Sequence, residues 1–236
     1  MQLKLKGLRN LEYSERSDPQ GEYSVLYCGI CRTDAKMWDE GQRDLVLPRV
    51  PGHEFVVEDK QSARYVVWPA KSCATCEYCL RAEENLCEDI EIMGFHIDGG
   101  YQSSLSLESE NVFLLDETIP AYLGTLAEPI GCCINALEKV SVATGDQVVI
   151  YGGGTQGLIL ALTAHSYGAI PTIIETNEQK ISKAKQFCDP LGITILKQTN
   201  DGDFDIAINA CPSTIAYSVA LSKLKKGGRF CFFSGL

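Results

Sequence analysis

The spacing of apolar residues changes character near residue 120 of this chain. Before that point the apolar runs are short and extended. Residues 1–27 open as a short, irregular stretch, within which residues 22–28 alternate well enough to form a strand. Residues 34–38 begin a short helix. Residues 45–51 are extended, because Pro48 and Pro51 resist helix. Residues 55–58 and 64–69 read as β segments of a small barrel, with a polar break at 59–63 between them.

Beyond residue 120 the periods lengthen. Leu123, Leu126, Ile130, Ile134 and Leu137 recur at helical spacing, so 121–139 reads as one helix linking two halves. A connector at 140–146 leads to a buried strand at 147–151 and a helix from Leu158. Strands follow at 171–175, 193–196, 204–209 and 229–233. Asn177 caps a helix over 178–188. A second helix over 213–225 ends before Gly227 and Gly228, where glycine suits a helix end. Alternating strand and helix predict an α/β fold with a doubly wound parallel sheet.

The turn after residue 151 carries chemistry. Gly152-Gly153-Gly154-Thr155-Gln156-Gly157 satisfies G-x-G-x-x-G at Gly152, Gly154 and Gly157, between a strand and a helix, which is the context the motif requires. The glycines permit a tight turn and let backbone approach a pyrophosphate at the helix N-terminus, with Thr155 and Gln156 beside it. Glu175 follows Gly154 by 21 residues, where an acid receives the adenine ribose hydroxyls. Its charge repels a 2′-phosphate, and Thr176 and Asn177 add no positive charge. NAD is therefore expected over NADP.

Cysteine usage points to metal. Cys73-x2-Cys76-x2-Cys79-x7-Cys87 places four thiols within 15 residues, the spacing of a closed four-thiolate zinc site that braces structure. The plainer alternative is four unrelated thiols or two disulfides. Farther upstream, Cys31, His53 and Glu54 offer sulfur, nitrogen and oxygen, the ligand types zinc accepts, and a catalytic zinc needs three such ligands with a fourth position open. Thr33 sets a hydroxyl two residues from Cys31. Taken singly, Cys31 and His53 would read as buried structural residues; the joint pattern makes them ligand candidates.

Eleven cysteines, an odd number with four at metal spacing, fit a reducing cytoplasm rather than an oxidising exterior. A net charge of -10 disfavours nucleic acid as a partner. No run of 18 apolar residues occurs, so no membrane-spanning helix is expected, and residues 1–8 carry no export signal.

Several motifs stand in one order: Gly29-Ile-Cys31-Arg-Thr33-Asp34, Gly52-His53-Glu54, the four-cysteine lobe, residues 94–101, Leu126-Ala-Glu128-Pro129 and the glycine loop. Together they resemble the zinc-dependent medium-chain dehydrogenase/reductase family, the alcohol and polyol dehydrogenases. The resemblance runs from about Val25 to the C-terminus. It implies a GroES-like small β-barrel catalytic domain over 1–120, with a structural zinc lobe at 73–87, and a Rossmann NAD-binding domain over 121–236. It implies a catalytic zinc on Cys31 and His53, with Glu54, Glu128 or both completing the set; Cys132 and Cys133 are competitors. Thr33 corresponds to the residue that relays the alcohol proton. The implied activity is reversible hydride transfer between NAD(P) and a polyol, sugar or related secondary alcohol. The partner is then a small alcohol or carbonyl substrate, with a homo-oligomer possible.

Two departures qualify this. Residues 54–68 are shorter than the family's usual hairpin, so a trimmed barrel is expected. The family's sixth strand and its return segment have no counterpart within the 236 residues, whether through truncation or because the protein manages without them. A catalytically incomplete, zinc-stabilised NAD-binding protein is accordingly the alternative function. A metal or redox sensor using Cys28 and Cys31 is a third. Arg32 reads equally as a phosphate contact or a surface cation. Cys28 reads as packing, His96 as a loop histidine rather than a pocket base, and His165 as surface or core.

Overall fold

A computed structural model describes residues 1–15, 21–199 and 202–234. The chain divides into two compact units, Met1–Glu128 and Pro129–Leu236.

The first unit begins with an antiparallel hairpin of β1 (Gln2–Gly7) and β2 (Asn10–Ser14). Sequence reading left this region irregular, yet Gln2-Leu3-Lys4-Leu5-Lys6 alternates and Leu5 is fully buried. Next come β3 (Tyr23–Cys28), α1 (Arg32–Asp39), β4 (Phe55–Glu58) and β5 (Arg64–Val67). The expected strands at 22–28, 55–58 and 64–69 fall here. After them lie β6 (Ala70–Lys71), α2 (Glu77–Leu80), β7 (Glu91–Ile92), β8 (Ser104–Leu105) and β9 (Val112–Leu114). Strands β8-β3-β4-β5-β9 form an antiparallel sheet, and β6 pairs with β7. Phe55, Val57, Val67, Met93 and Leu105 fill its core.

Residues 121–139 are not one continuous α-helix. Ala121–Leu126 is a 3-10 helix, and α3 (Ala127–Lys139) follows it. The tighter first part lies close against the sheet: a Cβ on Gly124 would stand 2.7 Å from Val56 Cγ2. Pro129 fits the first turn of α3, where its missing N–H is not needed.

The second unit holds β10 (Gln147–Tyr151), α4 (Thr155–Ser166), β11 (Ile170–Ile174), α5 (Glu178–Cys188), β12 (Thr194–Leu196), β13 (Phe204–Asn209), α6 (Thr214–Ser222) and β14 (Leu224–Phe232). Its strands pair in parallel in the order β12-β11-β10-β13-β14, a Rossmann arrangement. Strand β10 is central, with Val148, Val149 and Ile150 fully buried, as suits a strand covered on both faces. Asn177 caps α5 through Oδ1, which accepts the Lys180 N–H at 3.1 Å.

One expected boundary is corrected. Helix α6 stops at Ser222, and Gly227 and Gly228 lie inside β14 rather than behind a helix. Leu224 pairs with Phe204 and Arg229 with Ile206, so β14 carries extra residues against its neighbour. Gly227, at φ +77°, absorbs them as a bulge, and Lys225 in the bulge holds Asp205 at 2.8 Å.

Candidate active site

The register of β3 against β4 assembles the candidate site. Cys28, the last residue of β3, pairs with Phe55, the first of β4. The chain beyond β3 therefore runs beside the chain before β4, and the Gly29 N–H donates to the Glu54 carbonyl at 2.7 Å. Cys31, three residues on, meets His53 and Glu54. One ligand atom from each of Cys31, His53 and Glu54 lies within 4.8 Å of the others. Gly29 makes room, since a Cβ there would collide with the Glu54 side chain. Gly52 has φ +95°, and a side chain there would come within 2.8 Å of both Cys28 Sγ and the Tyr101 ring. Only glycine fits that place.

These residues fit a zinc ion. His53 is 6% exposed and packs at 5.2 Å from the Phe95 ring. Its Nδ1 is buried without a hydrogen-bond partner and lies 3.6 Å from Asp34 Oδ1, which also lacks one. Burial opposes protonation of His53, but Cys31 and Asp34 outweigh it and lift the pKa to about 9. The groups around His53 thus favour a cation in this pocket, a proton or a metal ion in its place. Burial, opposed by His53 and reinforced by Glu128, raises the Glu54 carboxyl above its usual range. Glu128 stands outside the three-residue group and acts on it through its charge. Thr33 is half-buried in the first turn of α1.

Asp34, the last residue of the Gly29–Asp34 motif, takes a part that the ligand pattern in the sequence does not reveal. Its Oδ2 accepts the Cys31 N–H at 2.9 Å, closing the start of α1. The signal was available: an acid three residues after an N-cap position.

The second group is the four-cysteine lobe. Cys76 and Cys79 sit one turn apart at α2, and Cys73 and Cys87 close on them, so the four sulfurs cluster within 4.8 Å. The Cys76–Cys79 and Cys73–Cys79 sulfurs are 3.5 and 4.0 Å apart. Zinc–sulfur bonds of about 2.3 Å in a tetrahedron require ~3.8 Å between sulfurs, so the spacing fits. Thr75 donates to Cys73 Sγ and pulls that thiol down to about 6, toward the thiolate a metal needs. All cysteines are free thiols, which sets aside the disulfide alternative. Among the described residues, Cys132 and Cys133 join neither group. Cys133 instead turns its thiol to Gln156 Oε1 at 3.2 Å.

The lobe is an exposed excursion, so its loss is a local event. Cys79→Ser is expected to remove one zinc and to open residues 73–87 to proteolysis. The thermal midpoint falls by only roughly 2–4 °C, the equivalent of about 1 kcal/mol in a chain this size. Metal analysis and limited proteolysis check this.

The glycine loop stands between β10 and α4. Gly152 has φ +112°, and Gly154 precedes the helix, with Thr155 and Gln156 in its first turn. Glu175 at the end of β11 is 9% exposed. Its Oε2 accepts the Gly153 N–H at 2.9 Å, and its Oε1 accepts those of Thr176 and Asn177 at 2.8 and 2.9 Å. Burial alone would raise this carboxyl; the N–H donors and Lys180 hold it below the usual range. Lys180 Nζ, 3.8 Å from Oε2, is a positive charge that sequence reading overlooked, one turn beyond the N-cap.

Other candidates have simpler places. Burial and Asp34 push the Cys28 thiol up to about 12, which makes it a poor redox partner for Cys31. His96 Nδ1 accepts the Ile92 N–H at 3.0 Å and anchors a loop. Arg32 is exposed, and His165 is half-buried in the last turn of α4.

Residues 23–117 match the alcohol dehydrogenase GroES-like domain family. The chain is 31% identical over 189 residues to an uncharacterized zinc-type alcohol dehydrogenase-like protein of Haemophilus influenzae, covering 75% of this chain and 55% of that protein. It is 29% identical over 203 residues to the L-galactonate-5-dehydrogenase of Escherichia coli K12, covering 82% and 58%. The chain thus spans little more than half the length of these curated relatives. A candidate zinc-binding dehydrogenase of Sinorhizobium meliloti 1021, solved bound to NADP, superposes with a TM-score of 0.85 at 22% identity. The match covers all of this chain and 76% of that one. The antiparallel sheet, the cysteine lobe and the parallel sheet define an alcohol dehydrogenase GroES-like domain followed by a Rossmann unit, and the chain is similar to zinc-type alcohol dehydrogenases.

Proposed function

We propose that this protein is an oxidoreductase that moves a hydride between a nicotinamide cofactor and the carbinol carbon of a polyol or sugar-type secondary alcohol. The convergence of Cys31, His53 and Glu54 carries the proposal. Relatives named for L-galactonate, D-arabinitol and D-altritol support the substrate class. Cys31, His53 and Glu54 would hold zinc, with Glu128 nearby as a charge; such an ion supplies Lewis acidity toward the substrate oxygen. Thr33 takes up and passes on the substrate hydroxyl proton, because a hydroxyl both accepts and donates. Asp34 orients the His53 ring. The four-cysteine lobe braces the fold without an open position.

The glycine loop receives the cofactor pyrophosphate, and Glu175 binds the adenine ribose hydroxyls. NAD is preferred over NADP. Glu175 is buried at the loop, whereas the Lys180 side chain is 55% exposed and already faces that carboxylate. Glu175→Gln removes the charge that repels a 2′-phosphate. The NADPH-to-NADH affinity ratio is then expected to rise about tenfold, since one such repulsion is worth ~1.4 kcal/mol. Paired titrations of both reduced cofactors check this, and an unchanged ratio would mean that Glu175 does not select the cofactor.

No helix among the described residues is long and apolar enough to cross a membrane. With its free thiols, the protein fits a reducing cytoplasm. The activity test is zinc-loaded protein offered a panel of polyols with NAD, followed by reduced-nicotinamide absorbance. Absence of turnover across the panel, with both zinc sites filled, would refute the proposal.

A further inference from the structure

Tyr101 lies outside the ligand set, yet it touches both segments that carry it. Its N–H donates to the Pro51 carbonyl at 3.0 Å, beside Gly99 to Val50 at 2.7 Å and Gly100 to Gly52 at 2.8 Å. Residues 99–101 therefore form a strap along residues 50–52, immediately before His53. The Tyr101 ring occupies the space that a side chain on Gly52 would need. Its hydroxyl crosses to the start of α1, 2.9 Å from Asp34 Oδ2 and 3.1 Å from the Gly29 carbonyl oxygen. One hydrogen serves two acceptors, and the carboxylate is the stronger.

Asp34 Oδ2 then receives two donors, the Tyr101 hydroxyl and the Cys31 N–H, each at 2.9 Å. That pair fixes the rotation of the carboxylate and turns Oδ1 toward His53 Nδ1, at 3.6 Å. Both facing atoms are buried without a hydrogen-bond partner, and a shift of ~0.6 Å would join them at a normal length. Burial and the Asp34 charge hold the phenol pKa far above its ordinary value, so it remains a donor.

We infer that Tyr101 is a positioning residue for the metal site: its hydroxyl locks the Asp34 carboxylate against His53 Nδ1, which leaves Nε2 as the free ligand nitrogen. The inference rests on the reading of Cys31, His53 and Glu54 as a zinc site. The same residue straps the Cys31 segment to the His53 segment through one side chain and one backbone bond. No motif spacing announces this, because Tyr101 and Asp34 are 67 residues apart.

The test is a zinc titration against a chromophoric chelator on wild type, Tyr101→Phe, Asp34→Asn and the double variant. The four-cysteine lobe serves as the internal reference. In Tyr101→Phe the non-lobe zinc is expected to bind about tenfold more weakly, the scale of losing an outer partner of a histidine ligand. The lobe zinc and the thermal midpoint stay unchanged, because phenylalanine still fills the space over Gly52. The double variant is expected to bind no more weakly than Asp34→Asn, since Tyr101 acts through Asp34. Cobalt at the same site is expected to show a shifted thiolate-to-metal band in Tyr101→Phe.

Wild-type affinity in Tyr101→Phe, or effects that simply add in the double variant, would overturn the inference. So would loss of the lobe zinc together with the fold, which would make Tyr101 structural. If wild type holds only the lobe zinc, the site reading fails first and takes this inference with it, a result visible before any variant is made.

Discussion

Replacing Cys31 with alanine is expected to halve the zinc content, from two ions per chain to one, and to lower polyol oxidation at least about a thousandfold. The magnitude follows from what leaves with the ion: Lewis-acid polarisation is worth several kcal/mol, and ~4 kcal/mol of barrier corresponds to ~10³ in rate. Cys31 carries this loss more than Glu54 does, because it is the sole thiolate of the group and Glu128 stands close enough to act on Glu54. Cys28→Ala is the control. Its half-buried thiol, pushed up to about 12 by burial and Asp34, is a poor ligand, so this variant should leave both ions in place. Metal analysis on protein purified without chelator, combined with steady-state rates, decides the matter. Two ions in the variant would remove Cys31 from the ligand set. One ion in both proteins would mean that only the four-cysteine lobe is filled, and a zinc-stabilised dinucleotide-binding protein would replace the enzyme.

The ligand candidates were legible because zinc accepts few residue types and the chain offers them in two short segments. What brings them together was not legible. The pairing of Cys28 with Phe55 and the Gly29-to-Glu54 bond depend on strand register, which the local pattern at 22–28 and 55–58 does not encode. Asp34 and Tyr101 escaped for a related reason: each is an ordinary polar residue whose task appears only across space. The alternating strands and helices of the second unit were readable from period alone, and Asn177 announced its helix by chemistry. Helix α6 was overextended because the apolar run continues and a glycine pair reads as a helix end, whereas β14 uses Gly227 for a bulge opposite Asp205. The hairpin β1–β2 was missed although its residues alternate, because Gly7-Leu8-Arg9-Asn10 lacks a strong turn signature.

Gly157→Ala is expected to weaken dinucleotide binding by damaging the fold, whereas Gly154→Ala weakens it without doing so. A methyl on Gly157 would overlap the Gly152 carbonyl oxygen and stand 2.9 Å from its carbonyl carbon. Gly152 cannot yield, because its φ of +112° and its N–H bond to Ile174 at 2.9 Å hold the turn. Helix α4 must then lift away from β10, and overpacking of this kind costs about 3 kcal/mol or more. The thermal midpoint is expected to fall by roughly 6–12 °C. Gly154 is different. Nothing lies within 4 Å of a Cβ there, and its φ of -75° suits any residue. Its methyl would protrude into the space where backbone must approach pyrophosphate. Gly154→Ala is therefore expected to melt with the wild type while binding NADH at least about tenfold more weakly, the cost of ~1.4 kcal/mol of lost contact. Thermal unfolding and NADH titration of the two variants separate the roles. Wild-type NADH affinity in Gly154→Ala would place the pyrophosphate elsewhere, and wild-type stability in Gly157→Ala would show that the helix has room the packing does not reveal.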